Sequence, residues 1–596
     1  MSSGEKWAPR QLGASLTDEG VRFRVFTTEA ADVEVELFHS SGEPGERKRL
    51  ACLADGLFEL LWPGLGPGTL YQFVLDGQNR PDPFARFLPL GVHGPAEVIA
   101  PEFVFQHHSP LPPAQRVFYE IHIGTFTEEG TYEAASERLA ALVELGVTTI
   151  ELMPVAAFPG RWGWGYDGVA GFAPFAPYGR PEELKRLIDR AHGLGLEVVL
   201  DVVYNHFGPD GNYLGAFSQR YFDPSVETPW GQAPRFADAP MRSYVIESAL
   251  HWLDEFRFDG LRFDGCHAIF DTSALHILAE VAGHARSGNP NRFFVAEDER
   301  NDVRELERMG VDAVWADDFH HVMHVLMTGE RDGYYAGYEP NLSELARTIE
   351  RGFLYEGQPF LDRGPRGRPA DWLSPSAFIY CLENHDQVGN RPTGSRLSHA
   401  SHIDAYRAAS ALLLFLPMTP LLFMGQEWAA SSPFCYFTDH EPELGKAVSE
   451  GRRREFAEFR GFQGSAEVAD PQAEATYRSS QLNWSERELK EHAGVLSLYQ
   501  QLLALRRSDP VLSQPGTRSE LKAEVDGDVL IVRRKTGDGT ARLLLLNWGE
   551  PRSRRDFSGA DTLLLASANL DGDTLPEKSA AIFEVQNSPL PIAIRP

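Results

Sequence analysis

Phe258-Asp-Gly-Leu-Arg-Phe-Asp-Gly-Cys-His267 is the stretch on which the fold turns. Phe258 to Phe263 has the alternation of a buried strand. Arg262 and Asp264 stand two apart, so both side chains leave the same face of that strand. An arginine beside a carboxylate at a strand end keeps the carboxylate ionised and aimed. A nucleophilic carboxylate requires that. A lone Arg-x-Asp is as readily a structural ion pair, so the surroundings must decide.

Outward from this stretch, from Arg116 onward, short apolar strands alternate with helical patterns. The expected strands are Val117–His122, Val147–Pro154, Leu196–Val203, Phe258–Phe263, Arg292–Ala296, Ala313–Ala316, Phe378–Leu382 and Pro420–Met424. Helices are expected at Tyr132–Leu145, Pro181–Leu194, Arg242–Phe256, Thr272–His284, Val303–Met309, Leu342–Arg351, His402–Leu416 and Val495–Arg507. Strand followed by helix, eight times over, is the count of a (β/α)8 TIM barrel, an α/β fold. Long connections follow the third strand (Phe207 to Met241), the sixth (Ala316 to Asn341) and the eighth (Gly425 to Lys490), where a cleft would be built.

Before the barrel, Val21, Phe23 and Val25, then Val33, Val35 and Leu37, Leu57–Trp62 and Tyr71–Leu75 alternate as the strands of an N-terminal β-sandwich. After it, Leu521–Val525, Val529–Arg533, Arg542–Asn547 and Ile582–Val585 read as a C-terminal antiparallel β-domain. The expected division is 1–105, 106–512 and 513–596, in keeping with what 596 residues can bury.

Lys+Arg 56 against Asp+Glu 85 leaves a net charge of −29, which argues against nucleic acid or an anionic membrane as partner. Cys52, Cys266, Cys381 and Cys435 are far apart and form no CxxC, so neither a zinc site nor a disulfide framework is expected. With no long apolar run and a polar N-terminus, the chain reads as cytoplasmic.

The strand ends carry the chemistry. The third ends in Asp201-Val-Val-Tyr-Asn-His206, the fourth at Arg262 and Asp264, the fifth at Glu297, and the seventh in Glu383-Asn-His-Asp386. In a parallel barrel these ends converge on one mouth. Carboxylates and histidines gathered there are costly unless used. Without a metal-type ligand set or any expected cofactor, three carboxylates suit glycoside chemistry. Asp264, paired with Arg262, is the expected nucleophile. Glu297, after Phe293-Phe294-Val295-Ala296 and with no base beside it in sequence, is the expected proton donor, its pKa raised by desolvation. Asp386 would favour the oxocarbenium-like transition state, with His206 and His385 donating to sugar hydroxyls.

Asp201-Val-Val-Tyr-Asn-His206, Gly260-Leu-Arg-Phe-Asp264, Val295-Ala-Glu297 and Asn384-His-Asp386 together resemble the four signature regions of the α-amylase superfamily. The resemblance implies the same three roles, and places Arg262, His206 and His385 at sugar-binding positions. Arg80-Pro-Asp-Pro through Gly91-Val-His-Gly-Pro95, Trp164-Gly-Tyr-Asp-Gly168, Asp317-Asp-Phe-His-His321, Asn384-His-Asp-Gln-Val-Gly-Asn390, Leu421-Leu-Phe-Met-Gly425 and Pro433–Asp439 are similar to the maltooligosyltrehalose trehalohydrolase family. That similarity implies cleavage of the α-1,4 bond beside a terminal trehalose, with maltooligosyltrehalose and related α-glucans as partners.

His267 and Ala268 stand where many superfamily members have Lys-His, so His267 is the candidate sugar contact there. Gln426 and Glu383 also depart from the pattern. Asn205 matches a frequent calcium ligand, though the subgroup implies no required ion. For the departing trehalose, Asp318, His321 and Glu356 are the expected ligands, with Tyr166 and Trp164 stacking the sugar across the cut. A glucan-branching transferase shares this plan, and a non-catalytic glucan-binding protein on the same barrel is the alternative outside catalysis.

Overall fold

The computed structural model describes residues 12–100, 102–457, 468–557 and 559–585. Parts of the expected N- and C-terminal domains (1–11 and 586–596) and of the Gly425 to Lys490 connection (458–467) lie outside the described residues.

The eight barrel strands are β1 (Phe118–Ile121), β2 (Thr149–Leu152), β3 (Glu197–Val202), β4 (Gly260–Phe263), β5 (Phe293–Ala296), β6 (Ala313–Trp315), β7 (Phe378–Cys381) and β8 (Thr419–Phe423). Each is parallel to the next, and β8 closes on β1. Their side chains are buried on both faces, outward against the helices and inward against one another, so the strands read as apolar runs rather than clean alternations. Phe118, Val199, Val295, Ala313, Trp315, Ile379, Cys381 and Leu421 form the inner cluster that fills the barrel. With the interior filled, polar strand-end residues can only collect at the mouth above it.

The N-terminal sandwich has one sheet of Gly13–Thr17, Gly20–Phe26, Leu57–Pro63 and Ala51–Ala54, and another built on Pro44–Arg49, Val33–Phe38, Leu70–Leu75 and Gln78–Arg80. Its core includes Val169, Ala170, Ala173 and Phe217 from the barrel's second and third connections, so it rests against the barrel. The C-terminal sheet is five-stranded and antiparallel. Its strand Thr562–Ala566 escapes the sequence because every one of its residues is at least partly exposed, leaving no alternation to read.

Three expectations are corrected. The connection after β6 is not an open loop: it begins at once with helix α1 (Asp317–Thr328). Nearly all of α1 is buried, so it has no polar face and its three histidines break the apolar pattern. The helix expected from Thr272 starts at Ile277, because Asp271 accepts the Ser273 and Ile277 N–H groups and holds the intervening residues in a turn. The helix expected at Arg242–Phe256 starts earlier, at Ala239, capped by Asp238 and opened by Pro240, and ends in a π-turn. No helix among the described residues is long and apolar enough to cross a membrane.

Candidate active site

Arg262 holds the mouth together. It is completely buried. Its Nη1 donates to both oxygens of Asp201 (2.9 and 2.8 Å) and to Asp264 Oδ1 (3.0 Å), while Nη2 lies 3.0 Å from Glu297 Oε2. The guanidinium covers the Trp315 ring, 4.2 Å from its centroid. Burial works against its charge, but Asp201, Glu297 and Asp264 hold it charged. Arg262, expected at a sugar-binding position, is therefore corrected to a positioning residue: it has no surface left to offer a sugar.

Glu297 is also corrected. The apolar setting expected from its neighbours in sequence is replaced by an ion pair with Arg262 and by the Gly265 N–H, which donates to Oε2 at 2.8 Å. Adjacency along the chain did not register Arg262, which comes from the neighbouring strand. Gly265 delivers its N–H from a left-handed conformation (φ 48°), and a Cβ there would stand 2.6 Å from Asn205 Nδ2. Asp264 Oδ2 accepts from that same Nδ2 at 2.6 Å. Asn205 thus gives its amide to Asp264 and turns its Oδ1 to His206 Nδ1. Among the described residues no group of three or more His, Cys, Asp or Glu is arranged to hold a metal ion.

Past β7, helix α2 (His385–Gly389) carries the third carboxylate. His385 donates its backbone N–H to Glu120 Oε2 (3.0 Å), and its Nδ1 is 2.5 Å from Glu120 Oε1. Its Nε2 lies 3.4 Å from Asp386 Oδ2. Burial opposes its charge, but Asp386 and Glu120 on either side prevail and lift His385 to a pKa of about 9. Asp386 also accepts from Asn390 Nδ2 at 3.1 Å, and its side chain stays open to the mouth. Glu120 was missed from sequence, although a carboxylate inside the apolar run Val117–His122 was the available signal.

Tyr166 stacks on His385 (5.1 Å between centroids, 23°) and donates to Asp201 Oδ2 at 2.6 Å. Burial is the largest influence on Asp201 and, against the pull of Arg262, pushes it up to about 7. Trp164 is corrected. It is buried, stacked on Phe434 (5.2 Å, 17°), and its Nε1 donates to the Cys435 carbonyl. It braces His385 edge-on from behind (5.4 Å, 88°) instead of facing a sugar. His206 is corrected as a hydroxyl donor, since Nε2 is engaged by the Tyr166 carbonyl (3.0 Å) and Nδ1 by Asn205. Burial keeps its pKa below the ordinary imidazole value. It lies face to face with the exposed Trp230 (3.9 Å, 18°), beside a cavity of about 230 Å³. His267 is exposed just beyond the end of β4, 4.0 Å from Glu299.

Of the expected trehalose ligands, Asp318 is corrected most sharply. It is fully buried and accepts from Asn301 Nδ2 (2.8 Å), Tyr338 OH (2.7 Å), Leu354 N (2.8 Å) and Tyr355 N (3.1 Å), with Arg366 3.6 Å away. It ties the connection after β5 to two segments beyond α1. Glu356 is corrected too: its side chain is buried and paired with Arg351 (2.5 Å). His321 is buried against Tyr338 OH (3.0 Å), and burial, then His320, keeps it well below the ordinary imidazole range. Asp317, one residue before Asp318, is only half-buried, and Glu297 and Asp386 lie close enough to act on its charge. Glu383 accepts from Leu397 N (2.9 Å) and Gln426 bridges Phe423 N to Tyr499 OH (3.0 Å each), so both departures are structural supports.

Comparison with known proteins adds to this geometry. The model of the alpha amylase catalytic domain matches residues 108–227, and that of carbohydrate-binding module 48, the isoamylase N-terminal domain, matches 11–94. The chain is 50% identical over 537 residues to the malto-oligosyltrehalose trehalohydrolase of Deinococcus radiodurans, covering 89% of this chain and 88% of that protein. It is 37% identical over 509 residues to the trehalohydrolase of Saccharolobus solfataricus, covering 83% and 87%. A crystal structure from Salmonella typhimurium, named among the alpha amylases, superposes with a TM-score of 0.88 at 38% identity, covering 97% of this chain and all of that one (100%).

Proposed function

The chain belongs to the malto-oligosyltrehalose trehalohydrolases of the α-amylase superfamily, and on that premise we propose how its residues carry the reaction. The protein is a glycoside hydrolase that cleaves the α-1,4 bond next to the terminal trehalose of maltooligosyltrehalose and releases trehalose. The observation that carries this reading is the 50% identity over 89% of the chain. The mouth supports it with all three carboxylates in place, which argues against a binding protein that has lost catalysis.

Asp264 attacks the anomeric carbon while Glu297 gives its proton to the glycosidic oxygen, so the C–O bond breaks and trehalose leaves with a free hydroxyl. A water then enters and gives its proton to Glu297. It attacks the same carbon, frees Asp264, and leaves the glucan with an α-configured reducing end. Arg262, contacting both carboxylates, supports the close spacing of about 5–5.5 Å that such double displacement needs. Asp386, backed by the His385 imidazolium, holds the sugar that becomes positively charged. Tyr166 stacks against that sugar, Trp230 extends the surface, and His267 approaches it from the rim.

The domain division at 105/106 and 512/513 is part of the proposal, as is a cytoplasmic site of action, which rests on the four unpaired cysteines. Incubation with maltooligosyltrehalose and with plain malto-oligosaccharide tests the function. Free trehalose and an α-anomer in the first proton NMR spectra are expected. A β-anomer would reject the double displacement, and new α-1,6 branches in place of trehalose would establish a branching transferase.

A further inference from the structure

Two adjacent aspartates open α1, and their surroundings are opposite. Asp318 is buried and receives four donors. That fixes the rotation of the first helical turn. Successive helical residues point about 100° apart, so the turn that drives Asp318 into the protein leaves Asp317 half-buried at the mouth. No protein group is hydrogen-bonded or ion-paired to the Asp317 carboxylate among the described residues, and its oxygens remain accessible. It nonetheless feels the charges of Glu297, Arg366 and Asp386.

The side of the cleft follows from the chemistry. The proton donor must face the oxygen that leaves, so the departing sugars lie on the Glu297 side. β6, which Asp317 directly follows, is the strand paired with β5 beyond Glu297. Tyr166, His206 and Trp230 stand on the connections after β2 and β3, across the mouth. Burial, then Glu297 and Asp386, push Asp317 up to about 7. A carboxylate left without a partner in such a place is an acceptor awaiting one.

We propose that Asp317 is a specificity-determining residue whose carboxylate accepts hydrogen bonds from hydroxyls of the disaccharide that departs as trehalose. The proposal rests on the reaction assigned above. Trehalose is bent at its α,α-1,1 link and has no reducing end, so a linear glucan in the same cleft presents different hydroxyls to a fixed acceptor. A site built around a hydroxyl contact discriminates strongly against a molecule that cannot make it.

The test compares wild type, Asp317→Ala and Asp317→Asn on maltooligosyltrehalose and on maltooligosaccharide of equal length, with thermal unfolding measured in parallel. For Asp317→Ala, KM for maltooligosyltrehalose should rise about 10- to 100-fold with kcat changed far less, while kcat/KM for the linear glucan stays within about threefold. Asp317→Asn, which keeps an acceptor oxygen, should recover part of the loss, and neither variant should unfold earlier by more than a few degrees. Equal losses on both substrates, or none on either, would overturn the proposal and leave the reaction standing. A wild-type chain that releases no trehalose would instead remove the reaction reading, and this proposal with it.

Discussion

The wall formed by β4 and β5 and the wall formed by β6 and α1 face the same mouth and are built on opposite plans. On the first, one buried guanidinium contacts Asp201, Asp264 and Glu297, and every carboxylate has its place fixed by a partner. On the second, one carboxylate takes up the available donors and its neighbour in sequence takes none. The first wall carries the residues proposed for the chemistry, where a small displacement is expensive in rate. The second separates two tasks between adjacent residues: Asp318 fixes the wall, and Asp317 is left for the substrate.

The largest effect should come from the first wall. Asp264→Asn and Glu297→Gln keep side-chain shape and remove the proposed nucleophile and proton donor, so kcat should fall about 10⁴-fold or more with an unchanged unfolding midpoint. Near-normal turnover by either variant would show that the two walls do not divide the work in this way. Next is Asp318→Ala. It strands the Leu354 and Tyr355 N–H groups, the Tyr338 hydroxyl and the Asn301 amide in the interior. A loss of about 3–5 kcal/mol in denaturant unfolding is expected, with both substrates handled equally badly. A stable variant impaired only on maltooligosyltrehalose would return the ligand role to Asp318 and erase the contrast with Asp317.

The smallest effect sharpens the catalytic side. The pKa of His385, about 9, stands above its ordinary value of 6.5. Its contribution to stability is therefore complete below about pH 6.5 and is lost as pH rises through about 9. Unfolding measured at about pH 6 and about pH 9.5 should show roughly 1–3 kcal/mol of this loss in the wild type and a flatter response in His385→Gln. The same slope in both would mean that Glu120 and Asp386 do not hold a charged imidazole.

The barrel was legible because each strand is buried on both faces and each is punctuated by a helix of ordinary length. The gathering of Asp264, Glu297 and Asp386 at one mouth was legible because strand periodicity fixes which face a residue leaves and parallel strands bring their ends to one place. Side-chain partners were not. Arg262 reaches Glu297 from another strand, and Trp164 is enclosed by Phe434, 270 positions away in sequence, so nothing local marks either. The choice between Asp317 and Asp318 depended on a single helical step, and α1 concealed its own helicity by being buried almost all round. Trp230 has no local mark in the sequence, because only the hairpin Phe222–Thr228 and Gly231–Pro234 sets it over His206.

The burial of Arg262 has a consequence for ionic strength. The chain as a whole carries −29, and the field of those surface charges is damped by dissolved ions over roughly 10 Å at 0.1 M salt. Mobile ions cannot approach a guanidinium with no exposed surface. Added salt should therefore alter how this acidic protein meets other molecules while leaving the arrangement of Asp264 and Glu297 around Arg262 as it was. A turnover number that holds steady from dilute buffer to molar chloride would be the signature of a charge network sealed from its solvent.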